Sequence, residues 1–211
     1  SKLTKITDGA VTFDGSGDTL SIADSADFDV AAGDFTIEGY IYPIKLASYN
    51  IIFDNIDNNR SGIQLSITSS GLYDISVGDG AGNWIFQNNS TVSVIGNTWQ
   101  HIALTRSGSS FKFFLNGIEQ LSTTSSTAVG NPKAVTIGGW SSGSNYYFQG
   151  FISNFHFVKG TALYTSRFTP PTRTLTNVTN TKLLCCQSNT SATEAAVTPG
   201  SITANGDAAA T

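Results

Sequence analysis

The chain has 211 residues, 12% of them charged and 39% hydrophobic, with a formal net charge of −4 and only three glutamates. Long amphipathic surface helices are excluded, because they need Glu, Lys, Arg, Ala and Leu at high density, whereas the 26 Ser and 26 Thr suit strands and turns. No apolar run approaches the length that spans a bilayer, and the 11 Lys and Arg are scattered singly, so neither membrane insertion nor nucleic-acid binding is expected.

Ser1-Lys2-Leu3-Thr4-Lys5-Ile6 lacks the apolar stretch of a signal peptide, which leaves processing or another export route open. Short runs with period-two alternation follow, cut by Gly, Asn, Asp and Ser, and they predict an all-β antiparallel sandwich of up to a dozen strands. The first strands fall at 11–13 and 20–22, around the turn Asp14-Gly15-Ser16-Gly17-Asp18. The clearest strand is 35–43. It sets Phe35, Ile37 and Ile41 on one face, Thr36, Glu38, Tyr40 and Tyr42 on the other, and stops at Pro43. Shorter strands read at 51–54, 63–67, 73–77 and 84–87. Two hairpins follow: 99–106 and 110–115 around Ser107-Gly108-Ser109, then 118–121 across Asn116-Gly117. Trp99 is expected as a core anchor, and Phe114 beneath a loop. Strands at 134–137 and 146–158 flank Gly138-Gly139-Trp140 and a polar loop, with a bulge expected at Gly150.

Beyond residue 160 the pattern changes. Thr161-Ala162-Leu163-Tyr164 suggests one helical turn, Pro170-Pro171 forces extended backbone, and a strand resumes at 182–186. Adjacent Cys185 and Cys186 should point to opposite faces, one buried and one outward, with a vicinal disulfide as the alternative. Residues 188–211 are mostly Ser, Thr, Ala, Asn and Gly, too poor in large apolar side chains to order alone. They are expected to be a tail or linker following a domain of residues 1–187, disordered in isolation or packed on another chain or on the domain's own sheet edge.

Several strings recur in family order. Val11-Thr12-Phe13-Asp14-Gly15-Ser16-Gly17-Asp18, Asp34-Phe35-Thr36-Ile37-Glu38, Trp99-Gln100-His101-Ile102-Ala103-Leu104, Phe114-Leu115-Asn116-Gly117, Ile137-Gly138-Gly139, Phe148-Gln149-Gly150-Phe151-Ile152-Ser153 and Gly160-Thr161-Ala162-Leu163-Tyr164 together resemble the laminin-G-like branch of the concanavalin A-like lectin/glucanase superfamily. The resemblance implies a jelly-roll sandwich of two curved antiparallel sheets, with a concave face and rim loops for ligands. Gly160 to Tyr164 and Leu183-Leu184-Cys185-Cys186-Gln187-Ser188 are most similar to domains in structural proteins of marine bacteriophages.

Related glucanases place two carboxylates on one strand face in a Glu-x-Asp-x-Glu motif. That motif is absent here. Glu38, Glu119 and Glu194 lie far apart, and Asp34, which could share a face with Glu38, follows Gly33 as a turn residue. No Gly-x-Ser-x-Gly elbow accompanies His101 or His156, which read as satisfied strand residues, and four zinc ligands are not available. A non-enzymatic protein is expected, with glycoside hydrolysis as a remote alternative. No cofactor is required. Calcium, common at the loop rim of laminin-G-like domains, would take Asp54 and Asp57 in preference to Asp14 and Asp18, although Asx-rich turns explain such clusters equally.

Sugars stack their C–H faces on aromatic rings, which makes Tyr40, Tyr42, Tyr49, Trp84, Trp140, Tyr146 and Tyr147 the candidate carbohydrate-binding residues. Trp84 and Trp140 serve equally well as lids over core. The expected function is a virion-surface adhesion module, in a bacteriophage tail fibre or capsid appendage, that binds host-surface polysaccharide or glycan. Its expected partners are other virion proteins and further copies of itself, and its location is the virion surface or, alternatively, extracellular. The alternative function is a purely structural virion decoration or spacer that makes protein–protein contacts.

Overall fold

A computed structural model describes residues 9–46, 49–140, 143 and 145–211. The alternating runs form two antiparallel sheets. One runs in the order Ile118–Thr124 (β10), Ser110–Leu115 (β9), Gln100–Ser107 (β8), Phe35–Pro43 (β3), Gln149–Lys159 (β12), Val11–Asp14 (β1) and Ala209–Ala210 (β16). Thr181–Cys185 (β13) pairs with β12 as well, and Ala195–Val197 (β14) with β13, which completes nine strands. The second sheet has seven: Ile202–Asn205 (β15), Thr19–Ile22 (β2), Val135–Ile137 (β11), Asn50–Asp54 (β4), Ser61–Ile67 (β5), Leu72–Asp79 (β6) and Trp84–Ser93 (β7). The expected all-β sandwich is the observed architecture. Among the described residues no helix is long and apolar enough to cross a membrane.

Alternation sends every second side chain between the sheets. Phe35, Ile37 and Ile41 of β3 meet Leu104, Phe113, Phe155 and Phe157 of their own sheet and Ile52, Phe53, Leu65, Tyr73, Ile75 and Val77 of the other, all buried. Aromatic rings tie the layers together: Phe53 stacks on Phe155 at 5.4 Å, Tyr73 lies 5.3 Å from Phe113, and Phe86 meets Phe111 edge-on at 5.2 Å. Truncating one such ring to alanine removes about 3–5 kcal/mol.

Four local expectations need correction. Trp99 is 42% exposed rather than a core anchor. Alternation counted back from buried Ile102 and Leu104 puts Gln100, not Trp99, on the inner face; its amide bonds Ile95 O and Tyr73 donates to its Oε1. The bulge of β12 sits at Asn154, where φ is +51 and the pairing with β3 skips from Ser153–Tyr40 to His156–Glu38, while Gly150 stays in register opposite Pro43. This extra residue reverses the phase of the strand, so Phe155 and Phe157 enter the core and His156 faces out. Residues 161–164 form no helical turn; they lie across the outer face of the nine-stranded sheet, held by Thr36, whose hydroxyl donates to Thr161 O and accepts from Leu163 N. Cys185 and Cys186 are both free and both buried. The strand ends at Cys185 and Cys186 adopts φ +60, so alternation stops and both sulfurs, 3.6 Å apart, join the core.

The region from residue 188 onward lies on the sheet edges. β14 extends β13, β15 pairs with β2, and β16 pairs with β1, with Ala10 and Thr211 exchanging two backbone hydrogen bonds. Its small side chains bury little, and main-chain hydrogen bonds to edge strands hold it.

Candidate functional site

Over β3, β8 and β12 the outer face of the nine-stranded sheet is covered. Residues 160–180 cross it, and Tyr164 stacks on Phe168 at 3.6 Å above His101. Beneath them Glu38, 1% exposed, has Oε2 3.1 Å from His101 Nε2 and Oε1 3.0 Å from His156 Nδ1, and accepts a 2.8 Å bond from the Tyr164 hydroxyl. His156 Nε2 lies 2.8 Å from Thr181 Oγ1. Burial alone would raise the Glu38 pKa, but the bonds from His101, His156 and Tyr164 pull it down to about 2. A hollow of about 450 Å³ lies over this group, lined by Leu163, Pro171 and Arg173 among others. The cluster brings one carboxylate, not two. Asp34 is occupied elsewhere, accepting the Gly108 N–H at the β8–β9 turn. The sequence reading missed this network, whose signal was the outward parity of Glu38 and His101; only the bulge brings His156 to it.

Tyr40 belongs to the same covered face. Its ring packs on His101 at 4.9 Å, its hydroxyl donates to Pro171 O, and burial with the nearby Glu38 charge pushes its pKa up to about 12. Tyr42 is half-buried in a separate aromatic group at the sheet's end, 5.6 Å from Trp99 and 5.7 Å from Phe151.

The outer face of the seven-stranded sheet is polar; Ser66, Asp74 and Ser76 are buried on it, and it opens to solvent at Gln87 and Asn89. Ile63, Leu65 and Ile67 of β5 point inward, which turns Gln64 and Ser66 outward, and the same alternation turns out Asp74 and Ser76 of β6 and Gln87 and Asn89 of β7. Tyr49 lies across this surface. Its hydroxyl donates to Asp74 Oδ2 and accepts from Ser66 Oγ, both at 2.8 Å, and burial raises its pKa.

At one end of this face a cleft of about 330 Å³ is lined by Tyr49, Trp84, Trp140 and Tyr146 with Gln64 and Arg60. Trp140 follows Gly138, whose φ of +86 and tight approach to the Phe13 ring exclude any Cβ. Tyr146, 49% exposed, has φ +66 and fixes its position through Ile51 N–H, which donates to Tyr146 O at 2.9 Å. The rings form a continuous set: Tyr49–Tyr146 5.3 Å and Trp140–Tyr146 6.1 Å. Across the cleft the Arg60 guanidinium sits 4.9 Å over Trp84 and donates to Gly82 O. Four of the seven predicted aromatic residues therefore converge. Tyr147, next in sequence, is half-buried, makes an isolated bridge to Ile51, and lies against Gly139. The loop expected between Trp140 and Tyr146 lies partly outside the described residues.

Of the two acidic residues expected near the rim, Asp57 takes main-chain donors and Asp54, at the end of β4, takes a side-chain donor. Asp57 Oδ1 accepts from Asn59 and Ser61 N–H, and buried Asp54 accepts from Gln64 Nε2. Among the described residues, the carboxylates that gather within 4.8 Å are Asp14, Asp18 and Asp207. There too Asp18 accepts Asp14 and Asp207 N–H and Asp14 accepts Ser16 N–H. The bonds within Asp14–Asp18 and Asp57–Ser61 are those of Asx-rich turns, whereas Asp207 N–H reaches Asp18 from the far end of the chain.

A laminin G-type family model, described as concanavalin A-like lectin/glucanases superfamily, matches residues 14–163. Among solved structures, a candidate carbohydrate-binding protein of Bacteroides ovatus is 17% identical with a TM-score of 0.72; the match covers 100% of this chain and 61% of that one. Mouse laminin alpha1 domains LG4-5 are 14% identical with a TM-score of 0.59, over 92% of this chain and 47% of that one. The CBM40 domain of the Ruminococcus gnavus sialidase, bound to α2,3-sialyllactose, is 15% identical with a TM-score of 0.54, over 69% of this chain and 89% of that one. No curated protein sequence matches. With the family model covering most of its length, the chain belongs to the concanavalin A-like lectin/glucanase superfamily.

Proposed function

We propose that this protein is a non-catalytic carbohydrate-binding module whose site is the aromatic cleft of the seven-stranded sheet. One observation carries the reading: Tyr49, Trp84, Trp140 and Tyr146 line a single opening of about 330 Å³, within the size of small-ligand clefts, beside the polar groups of Gln64 and Arg60. Similarity of fold to the sialyllactose-bound domain and to the Bacteroides ovatus protein supports it. The finer reading is an adhesin on a bacteriophage particle, in a tail fibre or capsid appendage, supported by the phage-like wording of residues 160–164 and 183–188. Copies arrayed there would convert weak single-site binding to host glycan into firm attachment. The reading needs no cofactor and no second carboxylate.

The test is binding to arrayed glycans and bacterial surface polysaccharides, with calcium and with EDTA, for the natural protein and for Trp140→Ala and Tyr146→Ala. Saturable binding lost in both variants supports the reading. A blank for folded, multimerised protein refutes it and favours the second reading, a structural spacer. That reading has its own observation, the exposed apolar end formed by Ile44 (42%), Ile95 (57%) and Trp99 (42%), which suits a protein contact.

A further inference from the structure

Beyond the aromatic cleft the open face continues. A second hollow of about 420 Å³ is lined by Tyr49, Thr68, Asp74, Gln87, Asn88 and Asn89. Tyr49 lines both hollows, so the two share a wall. They differ in chemistry. The first offers ring faces, whereas the second offers amides, a hydroxyl and one buried carboxylate, with Asn89 opposite Asp74 and Gln87 opposite Ser76 in the β6–β7 register. Gln87, Asn88 and Asn89 are exposed, and among the described residues no side-chain hydrogen bond occupies them.

Resting on the carbohydrate reading above, we propose that the two hollows form one groove for a neutral oligosaccharide of several units. One unit would stack on Trp140 and Tyr146, and the following units would run past Tyr49 to give their hydroxyls to Gln87 and Asn89. Charge sets the ligand class. Asp57 lines the first hollow and Asp74 the second, and among the described lining residues the only cation is Arg60, already stacked on Trp84 and bonded to Gly82 O. An anionic sugar passing Tyr49 would approach Asp74, 4% exposed, in a hollow whose described lining holds no Lys or Arg. A neutral chain meets donors and acceptors it can satisfy.

The experiment is calorimetric titration with malto-, cello- and arabino-oligosaccharides of one to six units, and with sialyllactose as the anionic probe. It uses the natural protein, Trp140→Ala, and the exposed-site double variant Gln87→Ala/Asn89→Ala, each checked for an unchanged thermal melt. The expected result in the series that binds is affinity that rises by about tenfold or more from one unit to four, with that increment removed by the double variant while single-unit binding persists. Affinity that is flat with length, lost in Trp140→Ala but unmoved by the double variant, overturns the groove and leaves the cleft standing. Sialyllactose that outcompetes every neutral ladder overturns the neutral-chain assignment. Binding of no series, or binding unaltered in Trp140→Ala, overturns the cleft together with the groove.

Discussion

On the nine-stranded sheet the outward side chains of β3, β8 and β12 (Thr36, Glu38, Tyr40, His101, Thr105 and His156) are buried beneath residues 160–180, whereas on the seven-stranded sheet Tyr49, Gln64 and Trp140 border an open cleft. Both faces are polar by sequence. What separates them is the extent of cover: one carries a whole segment, in which Tyr164 and Pro171 bond Glu38, Tyr40 and Thr105, and the other carries Tyr49 alone across Ser66 and Asp74. A covered polar face contributes to stability only while its groups stay paired. An open one leaves its donors and acceptors to water, and so to a ligand.

Changes on the covered face should therefore cost folding, and changes on the open face should cost binding. The largest expected effect is Glu38→Ala. It strips His101, His156 and Tyr164 of their shared partner and should lower stability by about 3–5 kcal/mol in urea unfolding, with the magnitude of a broken buried charge network. Acid acts on the same group. Because the folded pKa of Glu38 is depressed from 4.5 to about 2, its stabilisation is fully present above about pH 4.5 and is lost as pH falls towards 2. The loss should be about 3 kcal/mol, read as a falling urea midpoint, and Glu38→Gln should flatten that segment of the curve.

Tyr164→Phe removes one hydrogen bond from the covering segment and should cost about 1–2 kcal/mol, with hydrogen exchange accelerated in residues 160–180 ahead of the sheet beneath. Trp140→Ala and Tyr146→Ala should abolish glycan binding while moving stability by no more than about 1 kcal/mol, since both rings are partly exposed. The smallest expected effect is Trp99→Ala. With Trp99 42% exposed, it should cost about 1 kcal/mol or less, against the several expected of a core tryptophan. A loss of 3 kcal/mol there would restore the sequence-based expectation.

The strands and their inward faces were legible because period-two alternation is a local signal, as at Phe35, Ile37 and Ile41. So was the family, through strings in order. The errors fall where one residue breaks the phase. Asn154 bulges and turns His156 outward, Cys186 leaves the strand after Cys185, and Trp99, expected inside as a large ring, precedes β8, whose alternation turns Gln100 inward. The convergence of Tyr49, Trp84, Trp140 and Tyr146 depends on long-range contacts between strand ends, which no window of sequence carries; the sequence marked these residues as aromatic and near turns, but also marked Tyr40 and Tyr42, which the fold sends to the other sheet. The strands after residue 188 were illegible for another reason. Backbone hydrogen bonds to sheet edges leave almost no trace in side-chain pattern.

The three tryptophans report the two faces separately, with Trp84 and Trp140 in the cleft and Trp99 on the opposite sheet. The most direct measurement is the set of indole N–H resonances, each assigned by single substitution, followed by NMR during titration with a binding oligosaccharide. The account predicts saturable shifts of Trp84 and Trp140 with Trp99 unmoved; a saturable shift of Trp99 alone would contradict it.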